Sequence, residues 1–138
     1  MPSVVLSRSY GSVRVFWLDR EKALRQVREA ASRLLRERPE VLGVYLFGSL
    51  AEGRAVPGSD ADLLILLRRS ERRFLDRPLK YLPAFDEVGL PVDLFCYTPE
   101  ETERVPLAGR ARQTAIPLAE RSASARQPGR QVDPYRGR

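Results

Sequence analysis

Apolar positions recur along this chain at two different spacings, and the alternation between them marks out the elements. From Leu24 onward they fall three or four residues apart (Leu24, Val27, Ala31, Leu34, Leu35), while Arg25, Arg28, Glu29 and Arg36 take the other faces. That is the period of an amphipathic helix. Asp19 stands at the N-cap position, Glu21 suits the positive end of the helix dipole, and Pro39 stops the helix near Arg38. Val41–Phe47 (VLGVYLF) and Leu63–Leu67 (LLILL) are instead short, continuous apolar runs, which predict central strands covered on both faces. Val92–Tyr97 (VDLFCY) is a third strand and Val13–Leu18 (VRVFWL) a further short one. A weaker helical pattern runs from Glu71 to Val88 through Phe74, Leu75, Leu79, Leu82 and Phe85, interrupted at Pro78 and Pro83 and ended by Gly89. Thr98 and Pro99 have the form of an N-cap and first helical residue, opening another helix. Residues 1–12 show no clear pattern. The order helix, strand, strand, helix, strand, helix predicts a mixed α/β (α+β) fold, a mixed sheet with helices packed on it.

Composition adds limits. The chain has 138 residues, 43% of them hydrophobic, enough for one core. The expected organisation is one domain over residues 1–120 and a basic, disordered tail over 121–138, rich in Arg, Ser, Gln, Gly and Pro. The formal charge of +6 is uneven. The tail holds five of the 24 basic residues against one acid, leaving 19 basic and 17 acidic residues elsewhere. No stretch approaches the ~20 apolar residues that span a bilayer, and no secretory leader pattern opens the chain, so a cytoplasmic protein without a membrane partner is expected.

Two scarcities restrict the chemistry. With no histidine, imidazole acid–base catalysis and histidine metal sites are excluded. The single cysteine, Cys96, lies in an apolar strand as an inert core residue, and alone it can form neither an intramolecular disulfide nor a cysteine-clamped zinc site. A metal ion would have to be held mainly by oxygen, hence a hard cation such as Mg²⁺ or Mn²⁺.

Against that background, residues 46–67 (LFGSLAEGRAVPGSDADLLILL) stand out. Singly, Gly48-Ser49, Gly53, Gly58 and Ser59-Asp60 are ordinary turn residues. Together they place Asp60 and Asp62 two residues apart at the entrance to a strand. If the strand begins at Asp60, alternation sets both carboxylates on one face, with ~6–7 Å between their Cα atoms. Like charges so placed repel unless a cation or thorough solvation separates them. Asp93, inside Val92–Tyr97, is costly to bury unless paired or metal-bound; an exposed strand position is the alternative. If its strand lies beside Leu63–Leu67, Asp93 completes a triad suited to two ions and an in-line nucleotidyl transfer. Gly48, Ser49 and the amides of a helix beginning at Leu50 could hold triphosphate oxygens. Neither a Walker loop nor a dinucleotide-binding glycine motif is present.

Gly48-Ser49-Leu50-Ala51-Glu52-Gly53, then Ser59-Asp60-Ala61-Asp62-Leu63, then Asp93 within Pro91–Phe95 resembles the DNA polymerase beta-type nucleotidyltransferase superfamily. The resemblance spans residues 41–97. It implies Asp60 and Asp62 as ligands of two Mg²⁺ ions, with Asp93 binding the catalytic one and helping to deprotonate the acceptor hydroxyl. It also implies nucleotide contacts at Gly48, Ser49, Gly53 and Ser59, with ATP or another nucleoside triphosphate as substrate. Minimal members of this superfamily pair with helical HEPN proteins as toxin–antitoxin systems and add AMP to their partner, which makes such a protein the expected acceptor; a homo-oligomer is a second option. One departure is Glu52, where small members often carry arginine; Arg54 lies close by.

Three other readings follow from the residues. A small-molecule acceptor such as an aminoglycoside would call for an acidic pocket, for which Asp86, Glu87, Glu100, Glu101 and Glu103 are candidates. A non-catalytic antitoxin or binding subunit would keep the fold without the reaction. Nucleic-acid binding is disfavoured, because the Arg-rich tail offers only Tyr135 for stacking.

Overall fold

A computed structural model describes residues 4–121; the expectation of a disordered tail therefore falls, apart from Arg121, outside the described residues. The helix expected after Asp19 is α1, Arg20–Glu37, with the Asp19 side chain accepting from the Lys22 amide at 3.2 Å. Its buried stripe is Ala23, Val27, Ala30, Ala31 and Leu34. Before it, β1 (Val5–Tyr10) and β2 (Val13–Leu18) form an antiparallel hairpin that is a sheet of its own. β1 had no pattern in the sequence because serine and arginine occupy three of its six positions.

The main sheet holds β3 (Val41–Phe47), β4 (Ala61–Leu67), β5 (Val92–Tyr97) and β6 (Ile116–Glu120) in the order β5-β4-β3-β6. β3 runs antiparallel to both β4 and β6, while β4 and β5 are parallel. The two continuous apolar runs are the two central strands, as their composition predicts. On one face Val44, Leu46, Leu63, Ile65 and Cys96 pack against α1. On the other, Leu42, Tyr45, Leu64 and Leu66 meet Ala108 and Ala111 of α5, Pro106–Thr114. Burial pushes the Cys96 thiol up to about 12, which leaves it protonated and inert. α4 (Pro99–Arg104) opens at Thr98 with a full capping box to Glu101.

The segment 71–88 departs from expectation. Each proline starts a new turn instead of continuing one helix, so the chain runs as a 3₁₀ turn (Phe74–Asp76), α3 (Arg77–Tyr81) and a second 3₁₀ turn (Leu82–Phe85). Leu75 and Leu79, 83% and 69% exposed, point outward. The inward face is Arg77, Tyr81 and Phe85, spaced four apart. An arginine leads that face, which hid it from hydrophobic periodicity. β6 escaped notice for a related reason: it is five residues long and contains Pro117, tolerated only because β6 is an edge strand. Arg121, counted with the tail from sequence, belongs to the folded body. Its guanidinium donates to the carbonyls of Leu35, Arg38 and Val41 at 2.8–3.1 Å, closing the end of α1. Among the described residues no helix is long and apolar enough to cross a membrane.

Candidate active site

The site is built where β3 gives way to β4. At the end of β3 the chain turns through Gly48, whose φ of +79° is readily adopted only by glycine. A β-carbon at Gly48 would also collide with the Asp62 carboxylate. The glycine therefore creates the space in which Asp62 lies against the loop. α2 starts at Gly48, two residues earlier than expected, and ends after Glu52 at the left-handed Gly53. Leu50 is fully buried and pins this short helix to the core.

A second anchor comes from outside the motif. Arg20, the first residue of α1, donates from Nε to the Leu50 carbonyl and from Nη2 to the Ala51 carbonyl, both at 3.1 Å. Nothing in the sequence marks Arg20 for this, since its partners lie some 30 residues away. Glu52, the departure from the family pattern, is met by Arg54 at 2.9 Å, and both side chains are largely exposed. The Ser59 hydroxyl accepts from the Val56 amide at 3.0 Å and the Ser59 amide donates back to Val56 at 2.9 Å, which folds the loop just before Asp60.

The carboxylates then converge. In the parallel register Asp62 lies directly opposite Asp93, and neighbouring strands are ~4.8 Å apart. Both belong to the face of Leu64 and Leu66, because their neighbours Leu63 and Leu94 belong to the opposite cluster. Asp60 immediately precedes the strand, and its charge acts on the Asp93 carboxyl. Beside this group the Phe47 and Phe95 rings meet at 5.5 Å.

The electrostatics follow from this crowding. Burial first, and then the charges of Asp93 and Asp60, raise the Asp62 carboxyl above its ordinary range. Asp93 takes the exposed strand position that the sequence left open as the alternative, and its carboxyl is raised by partial loss of solvent and by the neighbouring Asp60. Among the described residues no three carboxyl, thiol or imidazole groups surround a common point as they stand. Ligation of one ion by all three would require their side chains to turn toward a shared cation. The donor set would suit that: three hard oxygen donors with no ion-pair partner among the described residues, beside a glycine that leaves room.

The acids considered for a small-molecule pocket are placed differently. Glu101 is clamped by Arg77, at 2.7 and 3.0 Å, and so is not free to bind a substrate. Glu100 and Glu103 lie with it on α4, which follows the opposite end of β5 from Asp93. Asp86 and Glu87 are exposed beyond the second 3₁₀ turn.

The architecture is a mixed sheet flanked by helices, with Asp62 and Asp93 opposite each other at one end of its parallel strand pair and Asp60 just before it. The model of the nucleotidyltransferase domain family matches residues 24–114, about two thirds of the chain, and the chain belongs to that family. Among solved structures it is similar to a presumed nucleotidyltransferase from Sulfolobus solfataricus, at 22% identity and a TM-score of 0.57 over 74% of this chain and 84% of that one. That likeness is one of fold. No curated protein matches in sequence.

Proposed function

We propose that this chain transfers a nucleoside monophosphate, AMP from ATP, to a hydroxyl group in a reaction dependent on Mg²⁺. The observation that carries this reading is the register of β4 and β5, which sets Asp62 opposite Asp93 on one face, with Asp60 just ahead of β4 and its charge acting on both. Asp60 and Asp62 would hold two Mg²⁺ ions, and Asp93 one of them. When bound, the cations would offset the mutual repulsion of the carboxylates, neutralise charge on the triphosphate and lower the pKa of the acceptor hydroxyl.

The chain's own groups do the rest. Gly48 and the Ser49 hydroxyl lie on the loop that faces the triphosphate in this reading, and Arg20 and Leu50 keep that loop in place. Asp93, a carboxyl with a raised proton affinity, receives the acceptor proton. The acceptor oxygen attacks the α-phosphorus, its bond to the β-phosphate oxygen breaks, and pyrophosphate leaves. Gly53 and Ser59 act indirectly, by ending α2 and by closing the turn before Asp60.

The acceptor we favour is a protein hydroxyl on a helical HEPN-type partner, with this chain as the antitoxin component. The resemblance to minimal nucleotidyltransferases supports this. The clamped Glu101 and the distant Glu100 and Glu103 weaken the small-molecule alternative. The test is transfer of α-phosphate label from each nucleoside triphosphate onto a co-expressed helical partner, with and without Mg²⁺. ATP-specific, Mg²⁺-dependent labelling that Asp93→Asn abolishes is the expected result. A folded protein that labels no acceptor, and whose Asp93→Asn variant still neutralises the partner, would mean a binding subunit instead.

A further inference from the structure

The β1–β2 hairpin takes no part in the site, yet it carries the most conspicuous apolar surface of the molecule. Leu6 pairs with Trp17, Arg8 with Val15 and Tyr10 with Val13, so these six side chains share one face. Five of them are apolar, and all five are 40–59% exposed. Val4 is buried at the root and Leu18 packs against the core. Among the described residues no other helix or strand makes an extensive contact with the arm. A two-stranded ribbon is marginal in water, and an open apolar face calls for a cover.

The arm has a distinctive charge as well. No acidic residue occurs before Asp19, while Arg8 and Arg14 are both on the arm. Aromatic residues with arginine, and no lysine or carboxylate, make up the usual composition of an interface centre. A surface of opposite character exists on this same chain. Leu82, Phe85, Val88, Leu90 and Val92 line an apolar groove of about 530 Å³ with Asp86 at its lip. Asp86 and Glu87 have no ion-pair partner among the described residues. The segment 122–138 is poorly suited to fill the groove, since it contains no Leu, Ile, Met, Phe or Trp.

We propose that this chain forms an arm-exchanged dimer. The apolar face of each arm lies in the groove of a second copy, and Arg8 meets Asp86 at the lip. The area favours exchange in both directions. Five half-exposed apolar side chains offer on the order of 300–400 Å². One such contact is the size of a weak encounter. Reciprocal docking engages both arm and groove on each copy and approaches the ~800 Å² per partner of stable complexes. The inference is independent of the transfer reaction.

Trp17 is the only tryptophan, so its emission reports the arm directly. The experiment is sedimentation velocity of the full chain over a wide concentration range, with emission recorded on the same samples. Dimer formation accompanied by a blue shift of Trp17 is expected. Arg8→Glu and Asp86→Arg should each weaken the dimer about tenfold or more, and the double variant should recover most of the loss. Both positions lie outside the core, and circular dichroism on each variant checks folding; Val15→Ser, which cuts the apolar face without touching charge, provides a second route to the same loss. A chain that stays monomeric throughout, with solvent-exposed emission, overturns the proposal and leaves the arm for a different protein. A dimer with shielded Trp17 that ignores Asp86→Arg overturns it too, because the arms would then be pairing with each other.

Discussion

The two ends of the central strand β4 handle charge in opposite ways. At its start, Asp60, Asp62 and Asp93 lie near one another with no ion-pair partner among the described residues, and Asp62 and Asp93 are held above their ordinary proton affinity. At its far end, charges of both signs are paired. Arg77, 6% exposed, donates to both oxygens of Glu101, to the Cys96 carbonyl and, through Nε, to the Arg72 carbonyl. Beside it Lys80 and the Tyr81 hydroxyl both meet Glu40, at 3.0 and 2.8 Å. A fold selected for stability alone would treat both ends like the second. Repulsion kept at one end and removed at the other separates the candidate site, where a cation would offset it in the proposed reaction, from the end that holds the molecule together.

The largest expected effect comes from removing one charge at the repelling end. Asp62→Asn should lower transfer by at least about 10³-fold while raising the melting temperature in the presence of a chelator, since it relieves repulsion. A loss of both activity and stability would mean that Asp62 is structural, and the contrast would collapse. Gly48→Ala should come next, with transfer down by roughly 10²-fold and stability by about 1–2 kcal/mol, because the new β-carbon needs both a strained φ and the space of the Asp62 carboxylate. Steady-state kinetics beside thermal melts would check it.

Glu101→Gln makes the opposite cut. It should cost about 3 kcal/mol in urea titrations at neutral pH, leaving kcat nearly unchanged at temperatures where the variant is folded. Arg77 holds the Glu101 carboxyl at about 2, below an unfolded value near ~4.3. A lowered carboxyl stabilises above the unfolded value and loses that contribution as pH falls toward about 2. The difference between wild type and variant should therefore vanish across that window. Asp62 and Asp93, being raised, act with the other sign: their repulsion is absent in acid and develops as pH rises through the carboxylate range. Urea titrations of wild type, Asp62→Asn and Glu101→Gln across pH, with chelator present, would show the two slopes directly. The smallest effect is that of Arg20→Met, about tenfold on transfer with roughly 1 kcal/mol of stability. Faster amide exchange in Gly48–Glu52, measured without nucleotide, would confirm that Arg20 acts by positioning the loop.

Much of the catalytic end could be read from the residues because its signals are local. Gly48-Ser49, Ser59-Asp60 and Asp62 lie within one short segment, and Asp93 betrays itself as a carboxylate in an apolar strand. The paired end was misread for the opposite reason. Arg77 counts as polar in any periodicity, so of its inward face only Phe85 falls in the apolar pattern expected for 71–88, and Glu101, a candidate pocket acid from sequence, is instead paired with Arg77. Arg20 and Arg121 were missed because their acceptors are backbone carbonyls far along the chain, and a carbonyl leaves no mark in a sequence.

By itself, the sequence determined the central apolar strands, the first helix with its Asp19 cap, and the exclusion of histidine and disulfide chemistry. Period, capping and residue type are properties of neighbours along the chain. The tertiary structure alone decided that β5 lies parallel to β4 in the register that puts Asp93 opposite Asp62, that Arg77 turns inward to Glu101, and that the β1–β2 arm stands apart from the core. Those outcomes depend on contacts between distant segments, where packing and charge satisfaction outweigh local preference.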